Sequence, residues 1–209
     1  MSIGVWLVVI ALCVALVDWW SVSRGHERAE SIAKPFVMAV LILGILVESP
    51  GASGWIVVFG LTCSLAGDVL LLPVVDRFIA GLGAFLVGHV FFTTAFLLEA
   101  NVDAVSVALG VGLSVVAVVA VGRQIVRSAA SKDSRLAKPV GAYVVVLGVM
   151  LASGFLPAVL SAAGATLFAL SDAVLGWNRF VKPIKHGRLL THIPYHLGQG
   201  LIALWAIGL

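Results

Sequence analysis

The sequence predicts an all-α, polytopic membrane protein with eight transmembrane helices, and three observations carry that prediction. Hydrophobic residues make up 61% and charged residues 11% of the chain, against roughly 45–50% and 25% in soluble domains. Mean hydropathy is +1.15. Apolar runs long enough for about 30 Å of hydrocarbon recur at 2–23, 34–48, 54–73, 78–98, 104–122, 139–156, 159–177 and 192–209. Spanning uses nearly all of the 209 residues, so residues 1–209 read as one transmembrane domain.

Taken in order, the first run begins Met1-Ser2-Ile3-Gly4 with no basic stretch before it and no small-residue cleavage site after it. It therefore reads as a membrane helix and not as a signal peptide. The second run is short, and Lys34 at its edge is placed to snorkel to the interface. The third holds Ser64 and Asp68, the fourth His89 and the seventh Ser171 and Asp172. The eighth carries His192, Tyr195, His196 and Gln199 at positions i, i+3, i+4 and i+7, one face of a helix. Cys13 and Cys63 match no metal spacing and read as small buried thiols.

Charge placement sets the expected topology. All 13 Lys and Arg fall between runs 1 and 2, 3 and 4, 5 and 6, or 7 and 8, or at those junctions. The other three connections hold only Glu48, Glu99 and Asp103. Basic residues favour the cytoplasmic side, so both termini are expected outside and the protein in the inner (cytoplasmic) membrane. Trp6, Trp55 and Trp205 fall near the expected outer ends, and Trp19, Trp20 and Trp177 near the inner ones. That is the distribution of aromatic belts.

The chain also repeats itself. Ala33-Lys34-Pro35 and Ala137-Lys138-Pro139 precede Asp68 and Asp172 by the same interval, and Arg77-Phe78 is echoed by Arg179-Phe180. Residues of about 1–103 and 104–209 thus read as two four-helix pseudo-repeats. Four is even, so both run the same way through the membrane, related by an axis along its normal. Asp68 and Asp172 then lie at one depth, in the cytoplasmic half of the bilayer.

A carboxylate at the centre of a membrane helix costs about 2.5–3.5 kcal/mol on insertion scales, so Asp68 and Asp172 are the first catalytic candidates. Two carboxylates in one low-dielectric cavity can divide into a proton donor and an ionised partner. The competing reading is structural: Lys34 and Lys138 each brace an Asp. Ser64 lies one turn from Asp68, while His89, Tyr195 and Gln199 lie deep enough for a pocket. His192 reads either as an interfacial cap or as part of the polar face turned into the bundle, and Asp18 either as an interfacial ion-pair residue or as a site residue. His192 and His196 have metal-ligand spacing, but no His-Glu-x-x-His run accompanies them, and no metal is expected. There is no phosphate loop and no nucleophile elbow. The basic loops are explained by topology, so no nucleic-acid partner is expected.

Lys34-Pro35, Gly67-Asp68-x-x-Leu71, Phe85-x-x-Gly88-His89, Ser171-Asp172 with Arg179-Phe180, and Tyr195-x-x-x-Gln199 together resemble the YhhN family of membrane proteins, the lysoplasmalogenase family. The resemblance runs from helix 2 to helix 8. It implies an eight-helix hydrolase of the lysoplasmalogen vinyl-ether bond, releasing a fatty aldehyde and glycerophosphoethanolamine or glycerophosphocholine without a cofactor. The substrate is then a lysophospholipid drawn from the bilayer. Asp68 and Asp172 share the acid and base roles, with their division left open. The phosphate is expected at Arg77, Arg179 or Lys182. One departure is His196, where the family pattern has a second Tyr. Paired intramembrane carboxylates also suit a small proton-coupled transporter or lipid carrier. Oligomeric state is left open.

Overall fold

The computed structural model describes residues 2–209, and all regular structure among them is helical. Helix α1 spans Ile3–Arg24, α2 Glu27–Leu46, α3 Ala52–Leu71 and α4 Phe78–Leu98. Helix α5 runs unbroken over Ala104–Lys132, with a π-helical stretch at Ala117–Gly122. Helix α6 spans Ala137–Gly154, α7 Val159–Val181 and α8 Gly187–Ala206. Seven of these eight are long and apolar enough to cross a membrane. The eighth, α8, has the length, but its His, Tyr and Gln residues lower its hydropathy. A multi-pass membrane protein follows from the seven alone.

Four helix boundaries differ from the sequence reading by four residues or more: α7 runs on to Val181 rather than 177, α8 begins at Gly187 rather than 192, and α2 and α5 differ most. Helix α2 begins at Glu27, a turn and more before Lys34, so Lys34 and Pro35 sit inside the helix and do not open it. Glu30 is buried against α8 rather than left in a loop. Helix α5 continues ten residues past its apolar run as an amphipathic extension, Arg123–Lys132. Arg123, Arg127 and Lys132 are therefore helical, not in a loop.

Local chemistry ends most elements. Gly25 closes α1 in the left-handed conformation, at φ 70°, which costs glycine least. The Asp103 side chain accepts the Val105 and Ser106 amides and caps α5. Glu48 Oε1 accepts the Gly4 amide at 2.6 Å. That bond, with help from Ser2, holds the Glu48 carboxyl below its ordinary 4.5.

Helices α1, α2, α3, α4, α6, α7 and α8 pack in a closed ring, each against the next. Helix α5 lies outside this ring against α6. Helix α8 is the hub, touching α1, α2, α3 and α7. Its approach to α7 depends on two glycines: a Cβ at Gly164 would stand 2.9 Å from the Gly198 carbonyl oxygen, and one at Gly198 would stand 2.8 Å from that of Gly164. Lipid supplies no hydrophobic drive between helices, so close backbone approach is a main source of adhesion. Gly198→Leu is expected to lower stability by about 3 kcal/mol, the upper end for overpacking, because the obstructing atom is backbone. A melting curve in detergent would read it; an unchanged midpoint would show that α8 can shift without loss.

Candidate active site

Each buried Asp is reached from two neighbouring helices. Asp68 on α3 is fully buried. Its Oδ2 accepts the Tyr195 hydroxyl of α8 at 2.7 Å. Its Oδ1 lies 3.1 Å from the Lys34 ammonium of α2, an ion pair without the alignment of a hydrogen bond. One turn away, Ser64 Oγ accepts from Gln199 Nε2 at 3.1 Å. Asp68 and Ser64 on α3 thus meet Tyr195 and Gln199 on α8 as two polar rungs. The spacing is that of successive turns on both helices.

Asp172 on α7 is held differently. Its Oδ2 accepts the Tyr143 hydroxyl of α6 at 2.5 Å, and the His89 imidazole of α4 approaches to 3.4 Å. No Lys or Arg pairs with it among the described residues. The expected brace from Lys138 is absent, because Lys138 is exposed in the first turn of α6. Tyr143, five residues further into the membrane, takes the position facing Asp172.

Both aspartates line one cavity of about 120 Å³. Lys34, Arg188, His192 and Tyr195 also face it. An aromatic wall fixes Tyr195: Phe168 and Phe85 meet its ring edge-on at centroid distances of 5.4 and 5.8 Å. Phe85 reaches that position because Gly67, beside Asp68, has no side chain; a Cβ there would lie 2.6 Å from the Phe85 ring. The glycine of the Gly67-Asp68 pair therefore makes room for the cavity wall.

The cations differ from those expected. Arg77, Arg179 and Lys182 are exposed and do not line the cavity. Arg179 lies 4.8 Å from the centroid of the Phe78 ring. The second cation at the cavity is Arg188 at the start of α8. It grips both oxygens of Glu30 on α2, at 2.6 and 2.5 Å. Sequence reasoning missed this pair because Glu30 was placed in a loop. It also missed Tyr143, although the chain has only two tyrosines and both fall inside apolar helices.

His192 and Asp18 are buried within the bundle and face each other. Asp18 is fully buried and lies 2.7 Å from His192 Nδ1. Trp19 Nε1–H donates to His196 Nδ1 at 3.0 Å. This cluster ties α1 to α8 behind the cavity. Among the described residues no group of three His, Cys, Asp or Glu is placed to hold a metal ion.

The helices and the site define a multi-pass membrane protein with two buried carboxylates lining one cavity. The chain belongs to the YhhN family, whose model matches residues 29–206. It is 31% identical over 200 residues to lysoplasmalogenase TMEM86B of Rattus norvegicus, covering 95% of this chain and 82% of that protein. It is 33% identical over 187 residues to the lysoplasmalogenase of Mycobacterium tuberculosis (strain CDC 1551 / Oshkosh), covering 87% and 70%. It is 29% identical over 177 residues to human lysoplasmalogenase TMEM86A, covering 79% and 70%. No solved structure matches it.

Proposed function

We propose that this protein is a lysoplasmalogenase-type hydrolase that cleaves the vinyl-ether bond of lysophospholipids by acid–base catalysis between Asp172 and Asp68. The observation that carries the reading is one cavity lined by two buried carboxylates with unlike partners. Lys34 beside Asp68 stabilises a carboxylate there. Asp172 is held by a hydroxyl and approached by an imidazole, with no Lys or Arg paired to it among the described residues, which suits the neutral acid.

In this mechanism Asp172 protonates the β-carbon of the vinyl ether and leaves an oxocarbenium ion. The Asp68 carboxylate stabilises that cation and takes a proton from the water that attacks it, a division like that of paired glycosidase carboxylates. The hemiacetal then breaks its carbon–oxygen bond, its hydroxyl proton passing to Asp172 and the proton on Asp68 to the departing glycerol oxygen. The products are a fatty aldehyde and a glycerophospho-head group, glycerophosphoethanolamine or glycerophosphocholine. Tyr195, Tyr143, His89 and the Ser64–Gln199 rung are positioning residues that hold the two aspartates and the cavity wall.

The pattern of neighbours supports the pseudo-repeat. Asp68 is reached from α2 and α8, and Asp172 from α6 and α4. Exchange of the two halves turns one set into the other. The chemistry has diverged, Lys and Tyr on one side and Tyr and His on the other, and that divergence separates base from acid. We further infer a single transmembrane unit in the inner membrane, with α8 as an eighth span and the basic helix ends in the cytoplasm. Both carboxylates then open toward the cytoplasmic leaflet. The phosphate binds at Arg188 rather than at Arg77, Arg179 or Lys182, since Arg188 is the half-exposed cation on the cavity rim.

Purified full-length protein incubated with 1-alkenyl lysophosphatidylethanolamine is expected to release aldehyde in an enzyme-coupled assay. Protein that releases none, yet moves protons or lipid in liposomes, would be the transporter.

A further inference from the structure

Asp172 faces a second space. On the side of α7 away from Lys34, a slot of about 70 Å³ lies between α4, α5, α6 and α7. Its only polar side chains are those of Asp172 and Tyr143. Along α6 it extends from Val140 to Leu151, about 16 Å at the helical rise per residue.

The slot is a consequence of sequence. Gly122, Gly148, Gly176, Ala117, Ala169 and Ala173 all contribute to its walls, so three helices present little side-chain volume there. Helix α5 passes the slot in its π-helical stretch, and such widened turns are frequent at functional sites. Protein interiors leave few voids larger than a water molecule, and an apolar void of this kind does not hold water. An elongated apolar space with a buried carboxyl group in its wall is shaped for a hydrocarbon chain whose reactive end must meet that group.

We propose that this slot binds the alkenyl chain of the lysophospholipid, with the polar cavity across Asp172 taking the glycerophospho-head group. Ala117 and Leu147 set the chain length it accepts. The inference rests on the hydrolase reading and adds where the substrate divides: the vinyl-ether carbons lie at Asp172, where the two spaces meet. Moving a chain from bilayer to slot gains almost nothing from hydrophobicity, because both surroundings are hydrocarbon. Discrimination is therefore steric, a limit on length and not a steady gain per methylene.

The test uses full-length protein in nanodiscs and two chains, one that ends inside the slot and one that fills it. Turnover is measured on the 1-alkenyl lysophosphatidylethanolamines, and calorimetric binding on the uncleavable 1-alkyl ethers of the same lengths. Ala117→Phe is expected to lower the long-to-short ratio of kcat/KM by about tenfold, the scale of one misfit group in an apolar pocket. Leu147→Ala is expected to raise it. The ratio of binding constants should move in the same directions. If both ratios stay within about twofold of wild type in both variants, the slot does not hold the chain, whether or not aldehyde is released. If wild type releases no aldehyde but the alkyl-ether ratios move as stated, the chain site stands and the hydrolase reading falls.

Discussion

Asp172→Asn is expected to abolish aldehyde release, with a loss of about a thousandfold in kcat, within the range for removing a general acid. Protonation at carbon is the hard step of vinyl-ether hydrolysis, and the proton must come from a group beside the double bond. An amide keeps the shape and can still accept the Tyr143 hydroxyl, but it has no proton acidic enough to give. The variant is expected to fold, because no buried cation loses its partner: Asp172 has only Tyr143 and His89 beside it. Activity should fall through kcat while KM changes little, since the lost interaction belongs to the transition state. Asp172→Asn with wild-type turnover would remove the acid from this mechanism, leaving His89 or Tyr195 to be tried in its place.

Lys34→Met is expected to destabilise the protein by about 3–5 kcal/mol, the cost of breaking a buried ion pair from one side. Lys34 and Asp68 are both buried, and the other oxygen of Asp68 already accepts from Tyr195. No other Lys or Arg pairs with Asp68 among the described residues. Asp68→Asn alone should cost a similar amount, because it leaves the ammonium unpaired. The double variant, Lys34→Met with Asp68→Asn, is expected to recover most of the stability, since a neutral pair replaces an ionic one. It should recover no activity. Denaturant unfolding in detergent and the aldehyde assay, run on all four proteins, separate the structural brace from the catalytic carboxylate. A stable double variant with wild-type turnover would leave Asp68 as a brace only.

Much of this site was legible because the membrane makes polar residues expensive. Asp68, Asp172, His89, Tyr195 and Gln199 stand out in apolar runs; the first four line the cavity or hold a residue that does, and Gln199 bonds Ser64 one turn from Asp68. Tyr143 was passed over because no motif or repeat spacing ties it to Asp172. Only its 2.5 Å bond to Asp172 marks it. Lys138 misled because the Ala-Lys-Pro repeat suggested equal roles. Lys34 lies well within α2, however, while Lys138 lies in the first turn of α6, so one side chain is buried and the other meets solvent. Arg77 and Arg179 were attractive for closeness in sequence to the aspartates, but both are exposed. Arg188 reaches the cavity because Glu30, distant in sequence, draws it across to α2.

The sequence by itself determined an all-helical membrane protein, because a chain this apolar must bury or span and must satisfy its backbone internally. It also singled out Asp68 and Asp172 as candidates, since a carboxylate in an apolar run must offset its desolvation. Only the tertiary structure decided the partners: Lys34 and Tyr195 for Asp68, Tyr143 and His89 for Asp172. Those pairs join residues far apart in the chain, and the rotation of each helix about its axis selects them. That rotation follows from side-chain packing and from glycine contacts such as Gly164 on Gly198, which no periodicity within one helix records. The difference between the two aspartates, on which the proposed acid and base roles depend, is a property of the packed helices and not of either segment alone.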